Sequence, residues 1–403
     1  MISRSHAKNA RTVAGVFFFV VIAQLLTGCA TPPQTQALLT QLSAPSAAQL
    51  SSQQPPPILP AAIELTDVPY YAQDLHQCGP ATLAMAIDAA GAHLTPQINV
   101  TPEQLVPQVY LPGREGSLQV EMLAATRRQG LLAYTLAPQL RDLLSEIAAG
   151  HPVVVLQNLA LSWYPRWHYA IAIGYDLNAQ TITLRSGPES RQQLSLKTFE
   201  YTWARSSYWA MLALPPDQIP TTATAEKYLD AALALESTAQ TTAARSAYRA
   251  ATLRWPDQFG AFIGLGNSAY KQQDFVEAET AFRSAIIKQP DSAIAHNNLA
   301  DTLMQQGQLD AALHFAETAV WLGGEREPAY AQTLAEIKIQ LAQRAPSQTY
   351  TKKSVAQKSA TNQFKKKTNT KKIKQPIAKK LPKNKNIVQK KSTKKHSPSR
   401  SRP

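Results

Sequence analysis

Cys78 sits in the stretch Gln73-Asp74-Leu75-His76-Gln77-Cys78-Gly79-Pro80-Ala81-Thr82, where a Cys-Gly-Pro step opens into an apolar run from Ala81 to Ala90. One other cysteine, Cys29, closes an apolar N-terminal segment. A single thiol at the start of a helix is placed for nucleophilic chemistry. The helix dipole favours a thiolate there, and a proline in the first turn gives up an N–H that is unpaired anyway. This predicts alkylation of Cys78 well below pH 8. A thiol nucleophile needs a base within hydrogen-bond reach. Of the eight histidines, His168 has the suitable setting: it begins the alternating run Trp167-His168-Tyr169-Ala170-Ile171-Ala172-Ile173-Gly174-Tyr175-Asp176, which reads as a strand followed by a turn and a second strand. His76 lies before the helix, where it points away or caps. His151 precedes Pro152 at the entrance to the apolar run Val153-Val154-Val155-Leu156. Gln73 is a candidate side-chain donor to the developing oxyanion, beside the backbone N–H of Cys78. One such donor is typically worth about 3 kcal/mol of barrier. Gln77 is the alternative donor, but it adjoins the nucleophile. This chemistry calls for no cofactor and no metal.

The elements that must hold these residues fall between two unlike ends. Arg4, His6, Lys8 and Arg11 precede an apolar run, Val13 to Leu26, too short for a comfortable membrane span. It ends in Leu26-Thr27-Gly28-Cys29, which resembles the lipobox of bacterial lipoproteins. The resemblance implies a signal peptide over 1–28, cleavage before Cys29 and lipidation of that cysteine. Ala30 follows, not the Asp of an inner-membrane retention signal, so the expectation is an outer-membrane anchor facing the periplasm. Lipidation leaves Cys78 without a disulfide partner. Residues 29–62 are rich in Pro, Gln, Ser and Ala, including Pro55-Pro56-Pro57, and read as a flexible spacer. At the other end, residues 346–403 hold 19 Lys and Arg and no Asp or Glu, while the rest of the chain carries 22 basic against 27 acidic residues. The basic balance therefore belongs to a tail expected to be disordered. The tail reads as a solvated segment or as an electrostatic attachment to a polyanion such as lipid phosphate. Phe364 stands alone there, which gives no platform for stacking nucleic-acid bases.

Between the ends, 63–216 reads as one domain and 222–343 as a second, helical and Ala-rich. The second repeats with a 34-residue period. Pro256 and Pro290 align, as do Tyr228, Phe262 and His296; Ala232, Gly266 and Ala300; Ala244, Ala278 and Ala312; and Tyr248, Phe282 and Ala316. Small residues at a close helix crossing, an aromatic on the second helix and a terminating proline form the tetratricopeptide pattern. Three repeats are expected, over 225–258, 259–292 and 293–326, which is about the minimum for a stable stack. Such a stack offers a surface to a peptide or protein partner.

The first domain carries a resemblance of its own. Val68-Pro69-Tyr70-Tyr71-Ala72-Gln73 followed by Gln77-Cys78-Gly79-Pro80-Ala81 resembles the nucleophile motif of the double-glycine leader peptidases, which are papain-like cysteine peptidases. The likeness continues through Gly116-Ser117-Leu118, Arg128-Gln129-Gly130 and Gly150-His151-Pro152-Val153-Val154-Val155 to the His168 strand. It implies an α+β papain-like fold, Cys78 as nucleophile, His168 as base, Gln73 as oxyanion residue, and substrates with small residues such as Gly-Gly before the scissile bond. Stand-alone lipoprotein members with trailing tetratricopeptide repeats form a subfamily that this chain looks like. One position departs from the pattern. An Asp usually follows the His strand, but here the stretch is Leu184-Arg185-Ser186-Gly187, so Ser186 takes the place of the orienting carboxylate, and Asp176 is the nearest spare carboxylate. In another triad, losing the carboxylate cost about four orders of magnitude. Three readings stay open: a lipid-anchored cysteine peptidase, a papain-like peptide-binding scaffold without turnover, and amide hydrolysis or transfer on peptidoglycan.

Overall fold

The structure, a computed structural model, describes residues 32–43, 59–72, 77–92 and 94–344. The signal segment, Cys29, Gln73, His76 and the Lys-rich tail lie outside the described residues. An α+β region occupies residues about 60–215, and a run of helices follows.

The sheet has seven strands, in the order β4-β9-β5-β6-β7-β8, with β1 joined to β6. They are β1 (Ala62–Glu64), β4 (Leu132–Thr135), β5 (Val153–Asn158), β6 (Trp167–Asp176), β7 (Thr181–Ser186), β8 (Glu189–Ser195) and β9 (Ala210–Leu214); a separate short pair is β2 (Tyr110–Leu111) with β3 (Gly116–Ser117). Every named pairing is antiparallel. All six residues of β5 are buried, because both faces of the sheet are covered, and this is why its first four residues, Val153 to Leu156, read as an apolar run. Val154, Leu156, Tyr169 and Ile171 share one core with α2 (Cys78–Gly91), α3 (Pro102–Val109) and α4 (Gln119–Arg128). Val153, Val155, Ala170 and Ala172 share the other with α5 (Leu140–Ala148) and α6 (Leu196–Ala204).

β6 is the organising strand. β5 pairs with its residues Trp167 to Ala172, and β1 continues along the same edge from Gly174 to Asp176. On the opposite edge β7 pairs only from Ile171 onward, with a register shift between Ala172 and Gly174. The bulge brings Gly174 so close to β1 that a Cβ there would stand 2.6 Å from the Ile63 carbonyl oxygen, a close approach that only glycine permits. The first four residues of β6 therefore keep one edge free of a strand partner, and α2 docks there: Thr82 Oγ1 donates to the Tyr169 carbonyl at 3.2 Å.

The sequence puts 29–62 in a flexible spacer, and part of it is instead a docked helix. α1 (Pro33–Ser43) packs on the body with Leu38 buried. Its first turn finds a partner that composition does not reveal. The buried Glu200 carboxylate accepts from the backbone N–H of Gln34 at 3.0 Å and of Thr35 at 2.6 Å, and from Thr35 Oγ1 at 2.5 Å. A carboxylate at a helix start satisfies orphan N–H groups and complements the dipole.

The helical segment begins with α7 (Ala225–Ser237) and α8 (Thr241–Arg254), continues with α9 (Phe259–Lys271), α10 (Phe275–Lys288), α11 (Ala293–Gln305) and α12 (Leu309–Leu322), and closes with α13 (Glu327–Arg344). Gly266 of the repeat pattern sits under an aromatic ring, where a Cβ would meet the Phe282 ring at 2.4 Å, and Gly264 beside it is packed likewise, a Cβ there meeting the Tyr248 ring at 2.3 Å. α13 extends past the three expected pairs and buries Tyr330 and Ile337. Tyr228, Ala232 and Leu235 of α7 belong to the same apolar core as Leu132, Tyr134 and Leu212 of the sheet.

Candidate active site

Cys78 is the first residue of α2, preceded by Gln77, which offers no side-chain cap. Pro80 is the third helical residue, so its missing N–H is still one of the helix's orphans. Gly79 is needed for packing. A Cβ there would fall 2.2 Å from Ser117 Oγ, so any other residue would push the β2–β3 hairpin off the start of the helix. The Tyr169 hydroxyl donates to the Ser117 carbonyl at 3.2 Å, tying that hairpin to β6 as well. Cys78 is half-buried and is a free thiol.

His168 lies at the open end of β6, opposite Gln157 of β5. Its Nε2 is 2.8 Å from Ser186 Oγ, on the last residue of β7. Ser186 is 6% exposed. With the serine hydroxyl accepting from Nε2–H, the lone pair available for base chemistry is on Nδ1. Cys78, Ser117, His168, Tyr169 and Gly187 line one open cleft of about 1010 Å³. Thus the structure brings Cys78, His168 and Ser186 to one site. Gln73 lies outside the described residues, although the residues before it are well anchored. Tyr70 donates its hydroxyl proton to the Gly187 carbonyl at 3.1 Å, and Tyr71 donates to Asp88 Oδ2 at 2.5 Å. Asp176 caps the β6–β7 turn instead, accepting from the N–H groups of Asn178 and Ala179. His151 is taken up elsewhere, 2.7 Å from Glu146 and 2.8 Å from Gln218.

Electrostatically the site differs from the expectation of a resting thiolate. Burial pushes the Cys78 thiol up from its ordinary value, against the pull of backbone N–H groups from Tyr169, Gly79 and Cys78 itself. His168 is driven down to about 4, by burial first and by the Arg166 guanidinium second. Both shifts favour the neutral forms. The helix start does supply N–H groups to the sulfur, but with Ser186 beside His168 no carboxylate among the described residues offsets the desolvation of the imidazole. Both groups are thus weighted toward their neutral forms and away from a standing ion pair.

The Tyr169 N–H is a contributor that residue types cannot disclose, because it is a main-chain group freed where β7 stops pairing. Arg166 is another. Its sequence position two residues before His168 was the available signal.

Residues 65–211 match the family model of the Peptidase_C39 like family. Residues 229–286 and 263–330 match that of the tetratricopeptide repeat. No curated protein matches the chain. Solved structures similar to part of it include the MamA RS-1 ArsTM double mutant, 19% identical, covering 29% of this chain and 66% of that chain with a TM-score of 0.28. MamA 41-end from Desulfovibrio magneticus RS-1 is 19% identical over 30% of this chain and 67% of that chain, with a TM-score of 0.28. The Yersinia enterocolitica type III secretion chaperone SycD in complex with a peptide of the translocator YopD is 16% identical over 29% and 93%, again with a TM-score of 0.28.

Proposed function

We propose, from a Peptidase_C39-like domain followed by tetratricopeptide repeats, that this protein is a cysteine peptidase of the bacterial envelope, anchored by lipid at Cys29 in the outer membrane and facing the periplasm. The observation that carries the reading is the placement of Cys78 at a helix start in the same cleft as His168, whose far nitrogen is fixed by Ser186. In the proposed reaction the Cys78 sulfur attacks a peptide carbonyl carbon while His168 Nδ1 takes the thiol proton. The tetrahedral oxyanion collapses to a thioester as the imidazolium returns that proton to the departing amine. Water, deprotonated by the same nitrogen, then hydrolyses the thioester and restores the thiol. Gln73 is proposed as a side-chain donor to the oxyanion. Small residues such as Gly-Gly at the scissile bond are proposed from the likeness to the double-glycine leader peptidases. The repeats are proposed to recruit a protein or peptide partner, and the Lys-rich tail to hold anionic envelope polymers.

The test is to incubate the full-length protein with Gly-Gly-containing peptides and look by mass spectrometry for cleavage and for an acyl adduct on Cys78. Cys78→Ala and His168→Ala should both be silent. Cleavage that persists in Cys78→Ala would overturn the assignment. A second reading, a peptide-binding scaffold, is favoured by the uncharged partner of His168. It predicts that Cys78→Ala leaves the cellular phenotype intact.

A further inference from the structure

The charged residues lining the cleft are Arg114, Glu115, Arg166 and Arg205, three cations against one anion. Arg205 is committed to the scaffold. Its Nη1 donates to the carbonyls of Asn158 at 3.2 Å and Ala160 at 2.8 Å, bracing the hairpin between β5 and β6. Arg114 and Arg166 are exposed and carry no ion pair among the described residues. They stand on different walls. Arg114 belongs to the turn that leads into Gly116 and Ser117, against the start of α2. Arg166 is on the braced hairpin, its N–H donating to Asn158 Oδ1 at 2.9 Å and its carbonyl accepting from Leu159 at 2.9 Å. Asn158 is 1% exposed, so the Arg166 backbone is held from a buried anchor and not from a loose loop.

Taking the peptidase reading above as its basis, we propose that the cleft selects acidic peptides, whose carboxylates pair with Arg166 on the His168 wall and with Arg114 on the Cys78 wall. Guanidinium groups without a protein partner are suited to bidentate carboxylate recognition, and a cleft with a net positive lining concentrates anionic ligands. The arrangement also has a catalytic consequence. The Arg166 charge works against protonation of His168. A substrate carboxylate on Arg166 neutralises that charge, so the bound substrate brings part of the negative field that Ser186 does not supply. The preference then shows in turnover as well as in binding.

The experiment uses the full chain and two rhodamine-labelled decapeptides around Gly-Gly, one bearing two Glu and the other Gln at the same positions. Binding is read by anisotropy on Cys78→Ala, and turnover on the wild type. The Glu peptide should bind about fivefold tighter, about 0.5 kcal/mol for each of the two exposed pairs, and the margin should shrink in salt. In Cys78→Ala carrying Arg114→Gln and Arg166→Gln the margin should vanish. The Lys-rich tail is unchanged in that variant, so whatever margin remains belongs to the tail. Equal binding of the two peptides, or a full margin in the triple variant, overturns the proposal. In the wild type, Arg166→Gln should reduce the Glu-over-Gln ratio in kcat/KM, with the acid limb of the Gln-peptide pH profile moving upward; an unchanged ratio and an unmoved limb count against the catalytic part. Selective binding without any turnover would instead sink the peptidase reading while leaving the charge selection standing.

Discussion

In the proposed peptidase, the protonation of His168 would set the working pH range. The base must be neutral to accept the thiol proton, and its conjugate acid forms only near pH 4. Activity should therefore be present above that value and fall as pH drops through it, where an unperturbed imidazole would already fail near 6.5. A kcat/KM profile across pH 3–10 checks this. Alkylation of Cys78 should rise only above the ordinary thiol range, since burial lifts its proton affinity, and stopped labelling at several pH values reads it. Ser186→Asp introduces a carboxylate at the position whose hydroxyl is now 2.8 Å from Nε2. It should move the acid limb from about 4 toward 6.5 and raise kcat/KM about tenfold or more near neutrality, while Ser186→Asn leaves the limb in place. Cys78 and His168 were legible because reactive residue types at element starts are rare in a chain with two cysteines and eight histidines. The protonation states were not, because burial and the Arg166 field are properties of the assembled cleft.

Among the elements, α1 shows where sequence patterning fails and why. Its run Pro33–Ser43 is polar apart from Ala37, Leu38, Leu39 and Leu42, so no strong amphipathic stripe marks it, and the stretches around it are Pro-rich. What holds it is a carboxylate more than 160 residues away in sequence. Glu200→Ala should leave the first N–H groups of α1 unpaired beside a cavity and cost about 1–3 kcal/mol. Hydrogen exchange should show the loss of protection concentrated in residues 34–40; protection that is unchanged there would mean that the helix is held by packing alone. The tetratricopeptide helices were the opposite case. Their small-residue and aromatic positions recur at a fixed period because each repeat solves the same packing problem, so Gly266 under Phe282 could be read directly. α13 lies beyond the period and left no such mark.

At the scale of the whole molecule, the α+β body and the repeats share a core and a polar lock. The buried Glu146 carboxylate accepts from the backbone N–H groups of Thr221 and Thr222 and from Thr222 Oγ1, and its other partner is His151. This fixes the connection just ahead of α7. With Tyr228 and Leu235 in the core of the sheet, the two parts should unfold together in a single calorimetric transition. Glu146→Ala should cost about 2–3 kcal/mol and split that transition, and two transitions in the wild type would show the parts to be independent. The docked first helix has a further effect on where the chain works. Only Ala30, Thr31 and Pro32 separate Cys29 from Pro33, a reach of at most about 14 Å even when fully extended. With the proposed acyl group on Cys29, the body would rest against the bilayer surface and not hang from it on a long leash. Its search for substrate would then be nearly two-dimensional, rewarding peptides that arrive at the same leaflet and leaving those deeper in the compartment largely untouched.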